Sequence, residues 1–212
     1  MRIAEENVVF AGPAGAIETI VENPGTPRGI ALVCHPHPLF GGNNTNKVTQ
    51  TLARTFTRLG YVALRPNFRG VGGSAGTHAD GRGEAEDMLS VLAAARQRYG
   101  DLPVVLAGFS FGAYVQTHVA QALAAAGHPA QRLVLVGTAA GFVEGARQYA
   151  AQAVAADTIV IHGAVDTTVP LANVLAWAEP LDLPVVVVPG ADHFFHRRLH
   201  VIRDIVTRAW RH

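Results

Sequence analysis

Gly108-Phe109-Ser110-Phe111-Gly112 follows the β-rich run at 104–107 and opens a segment of helical periodicity that continues to about residue 126. It is a G-x-S-x-G motif set between a strand and a helix, the context in which such a motif forms a sharp turn that presents its serine oxygen at the top of a sheet. The turn forces the serine backbone into a strained conformation. The flanking glycines are required because a larger side chain would collide with the neighbouring strand and helix. A glycine turn without chemistry is the plainer alternative, and the surrounding chain decides between them.

Outward from the motif, short β-rich runs alternate with stretches of 3.6-residue periodicity, the pattern of a mostly parallel sheet with helices on both faces. Residues 7–11 and 16–21 flank Gly12-Pro13-Ala14-Gly15, which predicts an antiparallel hairpin at the sheet edge. Strands are then expected at 30–34, 61–65, 104–107, 133–136, 158–162 and 185–188. A helix over about 46–60 carries Val48, Leu52, Phe56 and Leu59 on one face, and a second carries Ala85, Met88, Leu92 and Ala95. The last helix shows Leu199, Ile202, Val206 and Ala209. One crossover helix is expected around 144–155. The resulting fold class is α/β, with eight strands in one mostly parallel sheet, an antiparallel N-terminal hairpin and no cap. Open sheets of this kind gather their sites at the carboxyl ends of strands.

A serine hydroxyl is a weak nucleophile near neutral pH and needs a base, which in turn needs a third group to hold its tautomer. Ten histidines are present. His193, in Pro189-Gly190-Ala191-Asp192-His193-Phe194-Phe195, directly follows the last strand and meets the topological requirement; His78, His118, His128 and His212 read as surface residues. Asp166 follows the strand at 158–162, whereas Asp157 and Asp182 precede their strands and Asp192 adjoins the base. An oxyanion hole is the third requirement. Its expected donors are the backbone N–H of Phe111, at a helix N-terminus, and one from His35-Pro36-His37-Pro38-Leu39-Phe40-Gly41-Gly42, where the prolines have none to give. His37 is the first choice there and Leu39 the second. Leu39, Phe40, Phe109, Phe111 and Phe194 are expected to wall the substrate site.

Composition narrows the partners. The chain has 212 residues, 49% of them hydrophobic, enough for one sizeable core, and a single α/β domain over 1–212 is expected. Seventeen Lys and Arg against 16 Asp and Glu leave no field to steer a polyanion, so nucleic acid is not an expected partner. The apolar runs at 104–107 and 185–188 are strand-sized, far below the roughly 20 residues of a membrane helix. One cysteine, Cys34, and an acidic start (MRIAEENVVF) point to a reducing, cytoplasmic location. Whether the chain is a monomer or a homodimer is left open.

Together the HPHPLFGG loop, the NFRGVG turn, the GFSFG turn and the PGADHFF ending resemble the α/β-hydrolase superfamily, and within it small lidless esterases, from about residue 30 to the C-terminus. The resemblance implies Ser110 as nucleophile, Asp166 as acid and His193 as base, with no position departing from the pattern. It implies carboxylic ester hydrolysis, without cofactor or metal, less strongly than it implies the triad. A thioester, amide or lactone as acyl donor is an alternative, and so is a non-catalytic binding protein on the same scaffold.

Other features read as structural. Arg69-Gly70-Val71-Gly72-Gly73-Ser74-Ala75 contains a loose dinucleotide-like pattern but lies outside the first βαβ unit. His193, His196 and His200, with His35 and His37, could be drawn as a metal cluster, yet His193 is the base and the other two are expected on the last helix. Cys34 closes a strand and reads as a buried small hydrophobe.

Overall fold

The computed structural model describes residues 5–143 and 147–210. Strands β1 (Glu5–Gly12) and β2 (Gly15–Glu22) pair antiparallel, with Gly12 opposite Gly15 across a two-residue turn at Pro13 and Ala14. The alternation then begins with β3 (Gly29–Cys34), α1 (Lys47–Arg58), β4 (Tyr61–Pro66), α2 (Arg82–Tyr99), β5 (Val104–Phe109), α3 (Phe111–Ala125) and β6 (Arg132–Val136). A small separate hairpin follows, β7 (Gly141–Val143) with β8 (Arg147–Tyr149). Then come β9 (Ile159–Gly163), α4 (Leu171–Ala178), β10 (Val185–Val188) and α5 (Leu199–Ala209). The eight long strands form one sheet in the order β1-β2-β4-β3-β5-β6-β9-β10, parallel from β4 to β10.

Residues of the central strands alternate between two cores, as the period of a strand demands. Ile30, Leu32 and Cys34 of β3 join Met88 and Val91 of α2 and Val115 and Val119 of α3. Ala31 and Val33 face the other way, with Leu52 and Phe56 of α1 and Ile202 and Val206 of α5. Helices therefore cover both faces, and each fully buried aliphatic or aromatic side chain contributes about 1.5–3 kcal/mol. Asn46 caps α1 by accepting the N–H groups of Val48 and Thr49.

Two expectations fail. No helix crosses from β6 to β9 among the described residues: 147–149 form a strand, 150–155 are irregular, and 144–146 lie outside the description. The alanines after Tyr149 favour a helix, but tertiary contacts override them. The Tyr149 ring is buried 5.0 Å from that of Tyr114, Gln152 donates its N–H to Thr117 Oγ1, and Trp177 Nε1 donates to the Gln152 carbonyl. His196 also stands before α5 rather than on it, in a turn where its backbone N–H and ring Nδ1 both meet the Asp192 carboxylate.

Candidate active site

Strand β5 ends and α3 begins within two residues, and Ser110 between them holds φ 56°, ψ −118°. A side chain rarely adopts that backbone conformation, so the turn carries strain that its surroundings must hold. The contacts that hold it explain the glycines. A Cβ on Gly108 would collide with the Gly112 carbonyl, and one on Gly112 with the carbonyl oxygens of Cys34 and His35. At Gly112 the end of β3 and the start of α3 thus meet backbone to backbone.

The loops after β5, β9 and β10 bring Ser110, Asp166 and His193 together. Ser110 Oγ lies 3.0 Å from His193 Nε2, and His193 Nδ1 lies 2.7 Å from Asp166 Oδ2. Asp166 Oδ1 accepts the N–H groups of Thr168 and Val169 at 2.9 and 2.8 Å, which orients the carboxyl group. All three residues are largely shielded from water. Gly163 allows the two supporting loops to approach, since a Cβ there would collide with the Ala191 carbonyl.

The Leu39 N–H is already committed, donating to His37 Nδ1 at 3.2 Å. The N–H of His37 makes no hydrogen bond within the described residues, and the N–H of Phe111 opens α3 with no acceptor one turn earlier in the helix. Because His37 Nδ1 accepts, its ring is neutral with the proton on Nε2. Burial, with His78 and Arg147 nearby, pushes its pKa down to about 4. His35 is fully buried and also neutral: its Nε2 accepts the Phe68 N–H at 2.9 Å while Nδ1 donates to the Pro36 carbonyl. Burial lowers its pKa to about 4. It pins the loop after β3 to the loop after β4.

The residues expected as walls divide. Leu39 and Phe40 are exposed, at 69% and 67%, and Phe194 at 47%. Phe109 and Phe111 are not walls. Both are buried, because they belong to opposite cores on either side of the turn. The Phe109 ring backs the His193 imidazole at 4.9 Å. The Phe111 ring packs at 4.8 Å from His37.

Other residues stand at the site without any local signal in sequence. His78, expected on the surface, has a side chain only 13% exposed, 4.7 Å from the His37 ring and with Nδ1 2.9 Å from Glu84 Oε1. Tyr149 and Arg147 arrive on the β7–β8 hairpin; the Arg147 guanidinium lies 4.1 Å over the Phe40 ring. His162 sits wholly buried behind Asp166, its Nε2 donating to the Val169 carbonyl at 2.9 Å, and burial lowers its pKa. Cys34 is buried, and burial raises its thiol pKa. No group of three or more His, Cys, Asp or Glu side chains among the described residues is placed to hold a metal ion.

Such a serine turn on a parallel sheet defines a class, and the comparisons agree with it. The family model for the alpha/beta hydrolase fold matches residues 32–185, and the chain belongs to that family. A lidless α/β serine hydrolase from Xanthomonas campestris superposes with a TM-score of 0.86 at 33% identity, over 100% of this chain and 95% of that one. An alpha-beta serine hydrolase homologue from Coxiella burnetii gives 0.82 at 35% identity, over 98% of each chain. An uncharacterized protein, RP471, of Rickettsia prowazekii is 42% identical over 110 residues, 51% of this chain. That match spans 46%, about half, of the Rickettsia protein's length. No helix of the described residues is long and apolar enough to cross a membrane.

Proposed function

We propose that this chain is a serine hydrolase that cleaves short-chain carboxylic esters through an acyl-enzyme. The observation that carries the reading is the continuous line Ser110 Oγ, His193 Nε2, His193 Nδ1, Asp166 Oδ2, ending on a serine in a strained turn.

His193 Nε2 takes the Ser110 proton as Oγ attacks the ester carbonyl carbon. The carbonyl oxygen becomes an oxyanion, which the N–H groups of Phe111 and His37 receive. The intermediate then collapses: the bond to the alcohol oxygen breaks, His193 returns its proton to that oxygen, and the alcohol leaves. Water, deprotonated by His193, attacks the acyl-serine in the same way and releases the acid with Ser110 restored. Asp166 keeps the His193 proton on Nδ1 throughout and stabilises the imidazolium. No step calls for a metal or cofactor, so activity is expected to survive exhaustive chelation.

A fluorophosphonate probe should label Ser110, and 4-nitrophenyl acetate should be turned over. Both should vanish in Ser110→Ala, with turnover down at least ~10³-fold. A folded Ser110→Ala protein that hydrolysed the ester at the wild-type rate would sink the reading. Parallel rates on thioester, amide and lactone substrates determine whether the ester is the preferred acyl donor.

A further inference from the structure

A cavity of ≈ 320 Å³ lies between the start of α1 and the loop that follows His193. Its apolar lining comes from Val48 on α1 and from Phe194, Phe195 and Leu199. Phe194 is shared, since its ring also stands 5.2 Å from the His193 ring. The polar residues lining it are Asn46, Lys47, His196 and Arg197, with no acid among them.

The charge on this rim is all of one sign. Lys47 and Arg197 are exposed and form no ion pair among the described residues. The one carboxylate on the loop, Asp192, is turned onto His196, whose Nδ1 lies 2.6 Å away. The N-terminus of α1 adds nothing, because Asn46 already caps it. The loop itself is firmly built. Phe195 and Arg197 hold left-handed backbone at φ 53° and 60°, and the Phe195 and Arg198 N–H groups donate to the Asp192 and Phe195 carbonyls.

We propose that this cavity receives the alcohol portion of the ester, and that this portion is an apolar group ending in a carboxylate held by Lys47 and Arg197. The inference rests on the serine-hydrolase reading above. As the intermediate collapses, His193 Nε2 must donate to the leaving oxygen, so the alcohol portion extends from the His193 side of the site. Phe194, which packs against His193 and also lines the cavity, is the link between the two. An apolar lining flanked by two exposed cations matches an apolar anion, and the absence of an acid in the lining matches no cation.

Three acetate esters test this: phenyl acetate, 4-acetoxybenzoate and 4-acetoxy-N,N,N-trimethylanilinium. The readout is the ratio of kcat/KM for 4-acetoxybenzoate to that for phenyl acetate. Intrinsic ester reactivity cancels when this ratio is compared between variants. In Lys47→Gln combined with Arg197→Asn, a residue tolerant of the left-handed backbone, the ratio should fall about tenfold through KM. Lys47→Glu should reverse the preference towards the trimethylanilinium ester. Wild-type enzyme that hydrolyses all three esters, with a ratio unmoved by these substitutions, overturns the inference and leaves the serine hydrolase standing. Absence of turnover on every ester, with Ser110 unlabelled by fluorophosphonate, overturns both.

Discussion

Asp166 and His193 meet through one oxygen only: Oδ2 accepts His193 Nδ1 at 2.7 Å, while Oδ1 is held by the Thr168 and Val169 N–H groups. In Asp166→Asn those two backbone donors would keep the amide oxygen, which turns the amide NH₂ towards Nδ1. The imidazole proton would then move to Nε2, and His193 could no longer accept the Ser110 proton. We expect kcat to fall roughly 10³- to 10⁴-fold with KM little changed. Steady-state kinetics on 4-nitrophenyl acetate test this, and a KM-dominated defect would count against it.

Ser110→Gly should inactivate the protein and stabilise it together. Glycine accepts φ 56°, ψ −118° without the steric cost a serine bears there. Against this stands the larger entropy that glycine gives the unfolded chain. A net gain of about 1 kcal/mol, or roughly 2–4 °C in Tm, is expected. Calorimetry of Ser110→Ala and Ser110→Gly side by side reads the backbone effect; equal or lower melting temperatures for Ser110→Gly would show that strain at Ser110 does not exceed the entropy glycine adds to the unfolded chain.

Acyl preference should stop at short chains. The segment from β6 to β9 carries the small β7–β8 hairpin rather than a cap, and Phe109 and Phe111, being buried, offer no wall to a long acyl group. Each methylene adds ~0.8 kcal/mol only where apolar wall receives it, so kcat/KM should peak at about two to six carbons. No activation at a lipid interface is expected. A 4-nitrophenyl ester series from acetate to palmitate measures this, and rates still rising at palmitate would refute it.

Acid should destabilise the fold before its carboxylates titrate. His35 has a pKa of about 4 in the fold, against about 6.5 unfolded. Between these values the unfolded chain binds the proton and the folded one does not. Stability is therefore present above pH 6.5 and lost as pH falls towards 4, by on the order of 3 kcal/mol from this residue. Urea midpoints at pH 7, 5.5 and 4.5 follow the loss. His35→Gln, which retains an acceptor for the Phe68 N–H, should lessen that slope and leave the shares of His37 and His162, whose pKa values are also lowered; an unchanged slope would assign it to those two.

The amino-acid sequence by itself determined the succession of strands and helices and the loops that carry Ser110, Asp166 and His193. Those features are local. A strand-length apolar run, a glycine-flanked turn and a position just beyond a strand end are each written in fewer than about ten neighbouring residues. Parallel connectivity then requires the loops to emerge at one edge of the sheet.

Tertiary structure alone decided what depends on how the loops and elements pack against one another. The alanines after Tyr149 read as a helix, but the burial of Tyr149 against Tyr114 and the bond from Gln152 to Thr117 hold an extended chain instead. Phe109 and Phe111 look like equivalent neighbours of the nucleophile, yet the turn between them sends each into a different core. His78 and His162 carry no motif. They reach the site because Glu84 holds one and the Val169 carbonyl holds the other, and such partners, 6 and 7 residues away, are chosen by how the loops fold back rather than by any periodicity.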